Sequence, residues 1–144
     1  MSRGFTLIEL LVVMAILALV LVVVPPMFSG SLSTATLRGA ARDVAAGLRR
    51  ARSEAITLNQ EIGFRLDLEA HSYTIGDGQT SLSLPSDVEL ALFTAASERL
   101  DETTGAIRFF PDGSSTGGGI TLVDEDRKFE VIVDWLTGKV TIVD

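Results

Sequence analysis

The chain has 144 residues and 15.4 kDa, with 12 Lys and Arg against 19 Asp and Glu for a formal charge of −7, which is room for one domain. Mean hydropathy is +0.36, yet the apolar content is concentrated: every position from Phe5 to Val24 except Thr6 and Glu9 is hydrophobic, and the remainder is about 40% hydrophobic, ordinary for a soluble domain. These figures exclude a multi-span membrane protein and a wholly disordered chain, and with no cysteine and one histidine, His71, they exclude a disulfide scaffold, a cysteine-based zinc site and a histidine cluster.

Charge is polarised along the chain. Up to Arg52 there are six basic residues against Glu9 and Asp43, a net of +4; from Ser53 onward six basic residues face seventeen acidic ones, a net of −11. A nucleic-acid binder carries a basic patch on its folded domain, and this domain has the opposite balance.

The run from Phe5 to Val24 reads as a helix long enough, at about 30 Å, to span the hydrocarbon layer of a bilayer. A cleaved secretory signal has a shorter apolar region ending in a small-x-small site; this one passes straight into Pro25-Pro26. Arg3 and the α-amine on one side compete with Arg38 and Arg42 on the other, so charge alone leaves the orientation open. Glu9 is the anomaly, because a carboxylate in a lipid-facing helix costs about 2.5 to 3.5 kcal/mol at the bilayer centre. Either it reaches the interface, or it awaits a cation from another chain. A fresh α-amine, made by a cut near Phe5, is the natural candidate.

The segment Gly4-Phe5-Thr6-Leu7-Ile8-Glu9-Leu10-Leu11-Val12-Val13 resembles the class III signal of type IV pilins and type II secretion pseudopilins, with a short basic leader, a Gly, a Phe, and Glu at the fifth position after the Gly. The resemblance implies that a prepilin peptidase cuts between Gly4 and Phe5 on the cytoplasmic side and that Phe5 is then N-methylated. It also implies that Glu9 meets the α-amine of a neighbouring subunit during assembly, and it supplies the orientation that charge leaves open.

Pro25-Pro26 predicts a kink or interruption, and the stretch 29–34 is weak in helix propensity. A second helix is predicted from Thr34 to Asn59, where Leu37, Ala41, Val44, Leu48, Ala51, Ala55 and Leu58 recur at steps of three and four. Arg38, Arg42, Arg49 and Arg52 gather beside that stripe. This row is either a solvated flank or a contact for anionic lipid headgroups or for the acidic domain of an adjacent subunit.

From Glu61 the period changes to two. Ile62, Phe64, Leu66 and Leu68 alternate with polar residues, and a turn over 69–72 leads to a short strand Tyr73-Thr74-Ile75, a predicted hairpin. Further strands are predicted over 88–93, 106–110, 119–123, 129–135 and 139–143. A long helix followed by antiparallel strands is an α+β pattern with the helix on one sheet face. The resemblance implies the pilin-like form of it, a long N-terminal helix with a transmembrane part and an amphipathic part packed on an antiparallel sheet. The domain organisation expected is a leader over 1–4, a transmembrane or assembly helix over 5–24, a kinked or loose linker over 25–33 and a periplasmic domain over 34–144.

The most distinctive internal segment is Phe109-Phe110-Pro111-Asp112-Gly113-Ser114-Ser115-Thr116-Gly117-Gly118-Gly119-Ile120. It has no Lys and precedes a strand, so it is not a phosphate loop; it reads as a glycine-rich turn between strands. With Asp134-Trp135-Leu136-Thr137-Gly138 it resembles the carboxy-terminal region of the H-type minor pseudopilins and the related FimT-like minor pilins. His71, Asp112 and Ser114 or Ser115 have the residue types of a hydrolase triad, but no nucleophile elbow surrounds the serines. The carboxylate pairs Glu89 with Glu98 and Asp101 with Glu102 carry no spacing signal, and Asp124-Glu125-Asp126 lacks the spacing and Gly of a calcium loop.

The resemblance therefore implies a structural subunit and not an enzyme: a minor pseudopilin inserted in the bacterial inner membrane by a single span, with its C-terminal domain in the periplasm. It would assemble near the tip of the pseudopilus to support export of folded proteins across the outer membrane. Its expected partners are other minor and major pseudopilins of the type II secretion system, the prepilin peptidase, the inner membrane and secreted exoproteins, with no cofactor and no metal. The alternative is a FimT-like type IV minor pilin acting in pilus assembly or DNA uptake; the acidic domain argues against nucleic-acid binding.

Overall fold

The computed structural model describes residues 6–78, 80–125 and 127–144, and for 20–33 the backbone alone. Its elements run α1 (Leu7–Leu58), β1 (Ile62–Asp67), β2 (Ser72–Ile75), β3 (Leu82–Ser83), β4 (Glu89–Thr94), a 3-10 turn (Ala96–Glu98), β5 (Thr104–Phe109), β6 (Gly118–Asp124), β7 (Arg127–Val133) and β8 (Val140–Val143). The chain divides into two compact units between Thr34 and Ala35, and each is described by itself.

In the first unit Thr6 precedes the helix as its cap. Its hydroxyl accepts from the Glu9 N–H at 3.4 Å, and its carbonyl accepts from Glu9 N at 3.1 Å and Leu10 N at 3.3 Å. Helical backbone continues through 25–33, the segment whose composition predicts a kinked or loose linker. A helix carries interior prolines at the cost of lost N–H donors and, as a rule, of a bend. Among the described residues no helix is long and apolar enough to cross a membrane. The predicted span 5–24 overruns the described side chains, since Phe5 and 20–24 lie outside them.

In the second unit α1 lays one face on the strands. Leu37, Ala41, Val44, Leu48, Ala51 and Ala55 are each fully buried, as their spacing predicts. Leu58, the expected seventh member of that stripe, is instead 57% exposed. The helix ends there: Asn59 turns left-handed with φ 52, and the Gln60 N–H donates back to the Ala55 carbonyl at 3.2 Å, a closing pattern that Asn tolerates better than residues with bulkier side chains.

The strands form two four-stranded antiparallel sheets, β3-β2-β1-β5 and β4-β6-β7-β8, where the sequence predicts one. The break falls between β4 and β5. Leu92 of β4 lies against Gly105 of β5, where an added Cβ would come within 2.7 Å of the leucine side chain. Thr94 Oγ1 donates to the Ala106 carbonyl at 2.6 Å. These strands thus touch through side chains, while β4 spends its ladder on β6, pairing Glu89 with Val123 through to Thr94 with Gly118. A single core joins α1 to both sheets: Phe64 and Leu66 from β1, Ile107 and Phe109 from β5, Ile120 and Leu122 from β6 and Val131 and Val133 from β7 all point into it. Burying each such side chain contributes about 1.5 to 3 kcal/mol.

The predicted hairpin is β1–β2, in register from Phe64 opposite Ile75 to Asp67 opposite Ser72, with Asp67 Oδ1 accepting from Glu69 N at 3.0 Å and Ala70 N at 2.8 Å across the turn. The two-residue strand β3 and the 3-10 turn are absent from the sequence reading, because elements of two or three residues carry no period.

Candidate functional site

Of the residues that carry the signal, Gly4 and Phe5 lie outside the described residues and Glu9 lies within them. Glu9 occupies the first turn of α1 and is exposed. Among the described residues no cation lies within salt-bridge distance of it. Its position adds a reason for a carboxylate here that the sequence reading lacks: the first turn carries the positive end of the helix dipole and unsatisfied N–H groups, which favour a negative side chain. Thr6, three residues earlier, completes the Thr-x-x-Glu pattern of a helix start. That four-residue pattern is the signal by which sequence reasoning would have found the cap.

Along the helix from Leu7 to Leu19 every described side chain is exposed, with Leu7 at 82%, Ile8 at 71% and Leu19 at 68%. A helix that is apolar all round and bare in the single chain requires an apolar environment supplied from outside, either lipid or other helices.

The arginine row of α1 is neither a bare flank nor uniform. Arg38 places its guanidinium 5.8 Å from the centroid of the Phe129 ring, within reach of a cation–π contact. Arg49 Nη2 donates to the Val140 carbonyl at 3.2 Å, and Arg52 Nε donates to the Gly113 carbonyl at 3.0 Å. Arg50 pairs with Glu54 one turn on, at 2.8 Å. Arg49 and Arg52 therefore fasten the helix to the second sheet's end, a use the sequence did not reveal because their partners are backbone oxygens far along the chain.

The two distinctive segments come together around Arg52. The Ser115 N–H donates to the Trp135 carbonyl at 2.8 Å. Gly138, at φ 63, packs so closely on the Gly113 carbonyl and on Arg52 that a Cβ would overlap both. Each turn is stitched by its own aspartate. Asp112 Oδ1 accepts from Ser114 N at 3.0 Å and Ser114 Oγ at 2.6 Å, and the Ser114 hydroxyl first, then its N–H, holds the Asp112 carboxyl below the usual carboxylate range. Asp134 Oδ1 accepts from Thr137 N at 2.8 Å, Thr137 Oγ1 at 2.9 Å and Leu136 N at 3.1 Å, and these bonds, the Thr137 N–H foremost, depress its pKa likewise.

The triad residue types do not converge. His71 sits in the β1–β2 turn at φ 46 with Nδ1 3.2 Å from the Pro85 carbonyl, while Ser115 Oγ donates to the Arg108 carbonyl at 2.8 Å and accepts from Gly117 N at 3.1 Å. Among the described residues no group of three or more His, Asp or Glu side chains is placed to hold a metal. Glu98 and Glu89 are not a pair either: Glu98 is buried and reaches Arg108 Nε at 3.3 Å, with Glu61 on the other side of the same guanidinium at 3.3 Å. Asp126 of the acidic triplet lies outside the described residues, and Glu125, at φ 51, is in the β6–β7 turn.

Comparison with known proteins gives concordant results. Residues 40–137 match the model of the family described as type II transport protein GspH, and residues 1–25 match the prokaryotic N-terminal methylation motif. Type II secretion system protein H of Xanthomonas campestris pv. campestris is 35% identical over 138 residues, covering 96% of this chain and 81% of the relative. In fold, the chain is similar to the minor pseudopilin EpsH from the type 2 secretion system of Vibrio cholerae, with a TM-score of 0.56 at 16% identity over 74% of this chain and 94% of that one. It is similar also to the type IV minor pilin FimU of Pseudomonas aeruginosa, with a TM-score of 0.59 at 14% identity over 75% and 88%. The α+β fold is thus pilin-like, and with more than half its length under the family model and a 35% identical relative spanning nearly all of it, the chain belongs to the GspH family of type II transport proteins.

Proposed function

We propose that the chain is a minor pseudopilin of type II secretion, anchored in the inner membrane by its apolar helix, processed between Gly4 and Phe5 by a prepilin peptidase with N-methylation of Phe5, and assembled near the pseudopilus tip. The observation that carries this reading is the bare apolar helix with a lone carboxylate, Glu9, in its first turn, set on a chain that matches both the methylation motif and the GspH family. The apolar surface serves as anchor before assembly and as filament core afterwards. The new α-amine of a neighbouring subunit pairs with Glu9, offsetting the cost of its burial and setting axial register. In this scheme 1–4 is the leader, 5–24 the transmembrane and assembly helix, 25–33 a kinked or loose linker, and 34–144 the domain displayed in the periplasm. Other pseudopilins are its direct partners, and exported proteins meet the filament that it helps to start.

The decisive experiment replaces Gly4 with a bulky residue and Glu9 with Leu in the full chain. Gly4→Phe should leave the leader attached by mass spectrometry. Glu9→Leu should insert in the membrane but fail to enter the filament in a cross-linking assay; normal incorporation would refute the role given to Glu9. Deletion separates the secretion reading from the pilus one: blocked export supports the former, and lost pilus or DNA uptake the latter.

A further inference from the structure

The outer face of the second sheet, turned away from α1, carries a groove that the filament reading leaves unused. Strand register places Phe93 of β4, Gly119 of β6 and Ile132 of β7 in one row across this face. Phe93 is 79% exposed and Ile132 42%. Between them Gly119 has no side chain, so the two walls stand two strand spacings, about 10 Å, apart over bare backbone. The groove runs along β6 from Thr121 past Gly118 to Thr116, where Trp135, 65% exposed, forms the wall; it opens to about 360 Å³ beside Gly119 and about 460 Å³ at the tryptophan.

The open floor is not a requirement of the fold. Gly117 and Gly118, at φ 73 and 142, need glycine. Gly119 does not: its backbone lies outside the left-handed region, and an added Cβ would meet nothing nearer than the Val131 carbonyl at 3.7 Å, an ordinary contact. Glycine inside a strand weakens it, so a side chain here would help the sheet and close the groove.

Width and charge define the occupant. A helix with its side chains is about 10 to 12 Å across and does not enter, whereas one extended chain does. Apolar walls of this exposure suit a large apolar side chain. Among the described residues, the charged ones lining the groove are Asp134 and Glu130, with no Lys or Arg. Glu130 is held by Lys128 at 2.8 Å; Asp134 feels the charge of nearby Lys139, but its side-chain bonds all fall on Oδ1, which leaves its other oxygen for an incoming donor.

We propose that this groove binds an extended segment of a partner protein, with a large apolar side chain seated over Gly119 between Phe93 and Ile132, and a lysine or arginine two residues away meeting Asp134. Alternate residues of an extended chain point the same way, so anchor and charge fall on one side of the segment. Recognition is by side chains laid across a sheet face, since β4 and β7 already flank β6.

Trp135 is the only tryptophan of the chain and reports on the groove directly. The full-length protein in neutral detergent is titrated with the end-capped peptides KTFTK, KTATK and ETFTE while Trp135 emission is followed. KTFTK should give a saturable change, with affinity at least about tenfold above that of either control. Gly119→Val should weaken KTFTK binding by about tenfold or more while melting at or above the wild-type temperature. Phe93→Ala, which removes an exposed ring and leaves the core intact, should weaken it similarly and is the second variant if the first misfolds. Absence of a saturable response, equal affinity for all three peptides, or unchanged binding by both variants overturns the proposal. An emission that moves with protein concentration alone assigns the groove to a second copy, and one that moves on transfer to anionic vesicles assigns it to lipid; either result also overturns it.

Discussion

Two glycines of α1 receive the same methyl group with opposite expected results. In a helix interior Ala is favoured over Gly by about 1 kcal/mol. At Gly39 an added Cβ meets no described atom within 4 Å, so Gly39→Ala should gain about 0.5 to 1 kcal/mol. At Gly47 the Cβ would stand 2.7 Å from Tyr73 Cε2 and 2.8 Å from Phe64 Cε2, two rings stacked at 4.7 Å between centroids and 23° between planes. Both belong to the core, so neither moves alone, and overpacking of this kind costs about 1 to 3 kcal/mol. Taking about 2 kcal/mol, the clash exceeds the helix gain and leaves Gly47→Ala about 1 kcal/mol less stable. The two variants then differ by about 2 kcal/mol, or about 8 °C in melting temperature for a folded unit of this size. Thermal melting of the full chain in detergent, followed by circular dichroism, reads this directly. If Gly47→Ala melts at or above the wild type, the stacked pair does not set the distance between helix and sheet, and the reasoning fails.

Arg108→Ala should destabilise by about 2 to 3 kcal/mol, because it strips the partner from buried Glu98; Glu98→Gln should cost less, and chemical denaturation of both ranks them. Arg52→Ala should cost about 1 to 2 kcal/mol through the lost bond to the Gly113 carbonyl, and faster amide exchange at the turns 111–115 and 134–138 would locate the damage. Asp101, Asp112 and Asp134 all titrate below the ordinary carboxylate range, Asp101 through the Thr103 and Thr104 N–H groups first. A depressed folded pKa contributes stability that is present above the unfolded value, about 4, and is lost as pH falls through the folded one. The melting temperature should therefore hold steady from neutrality to about pH 5 and fall below about pH 4, with a shallower fall when the three are changed to Asn. Asn59→Gly should be neutral or slightly stabilising and Asn59→Val destabilising by about 1 to 2 kcal/mol, since the position is left-handed; melting curves distinguish them.

Much of the fold is legible where a period runs long enough to be counted. The stripe from Leu37 to Ala55 and the alternation of Ile62, Phe64 and Leu66 are buried as their spacing predicts, because each is fixed by one local geometry. What stays hidden is decided between distant segments. Nothing local to 88–94 tells β4 to pair with β6 and leave β5 to side-chain contact, and nothing in the arginine row names carbonyls 61 and 91 residues away as partners. The site divides the same way: Glu9 stands out from the sequence as a charge in an apolar run, while the Phe93 groove needs three strands in register before it exists.

The links from Arg49 to the Val140 carbonyl and from Arg52 to the Gly113 carbonyl have a mechanical consequence. A filament that extends is loaded through its helices, and a domain riding on such a helix experiences that load as shear along the interface. Apolar packing alone resists separation well and sliding poorly, since side chains can exchange neighbours at little cost. Two guanidinium groups one helical turn apart, one hooked to the backbone of strand β8 and the other to that of the β5–β6 turn, act as pawls against that sliding. Movement of the Ala35–Leu58 stretch along its own axis must break both at once.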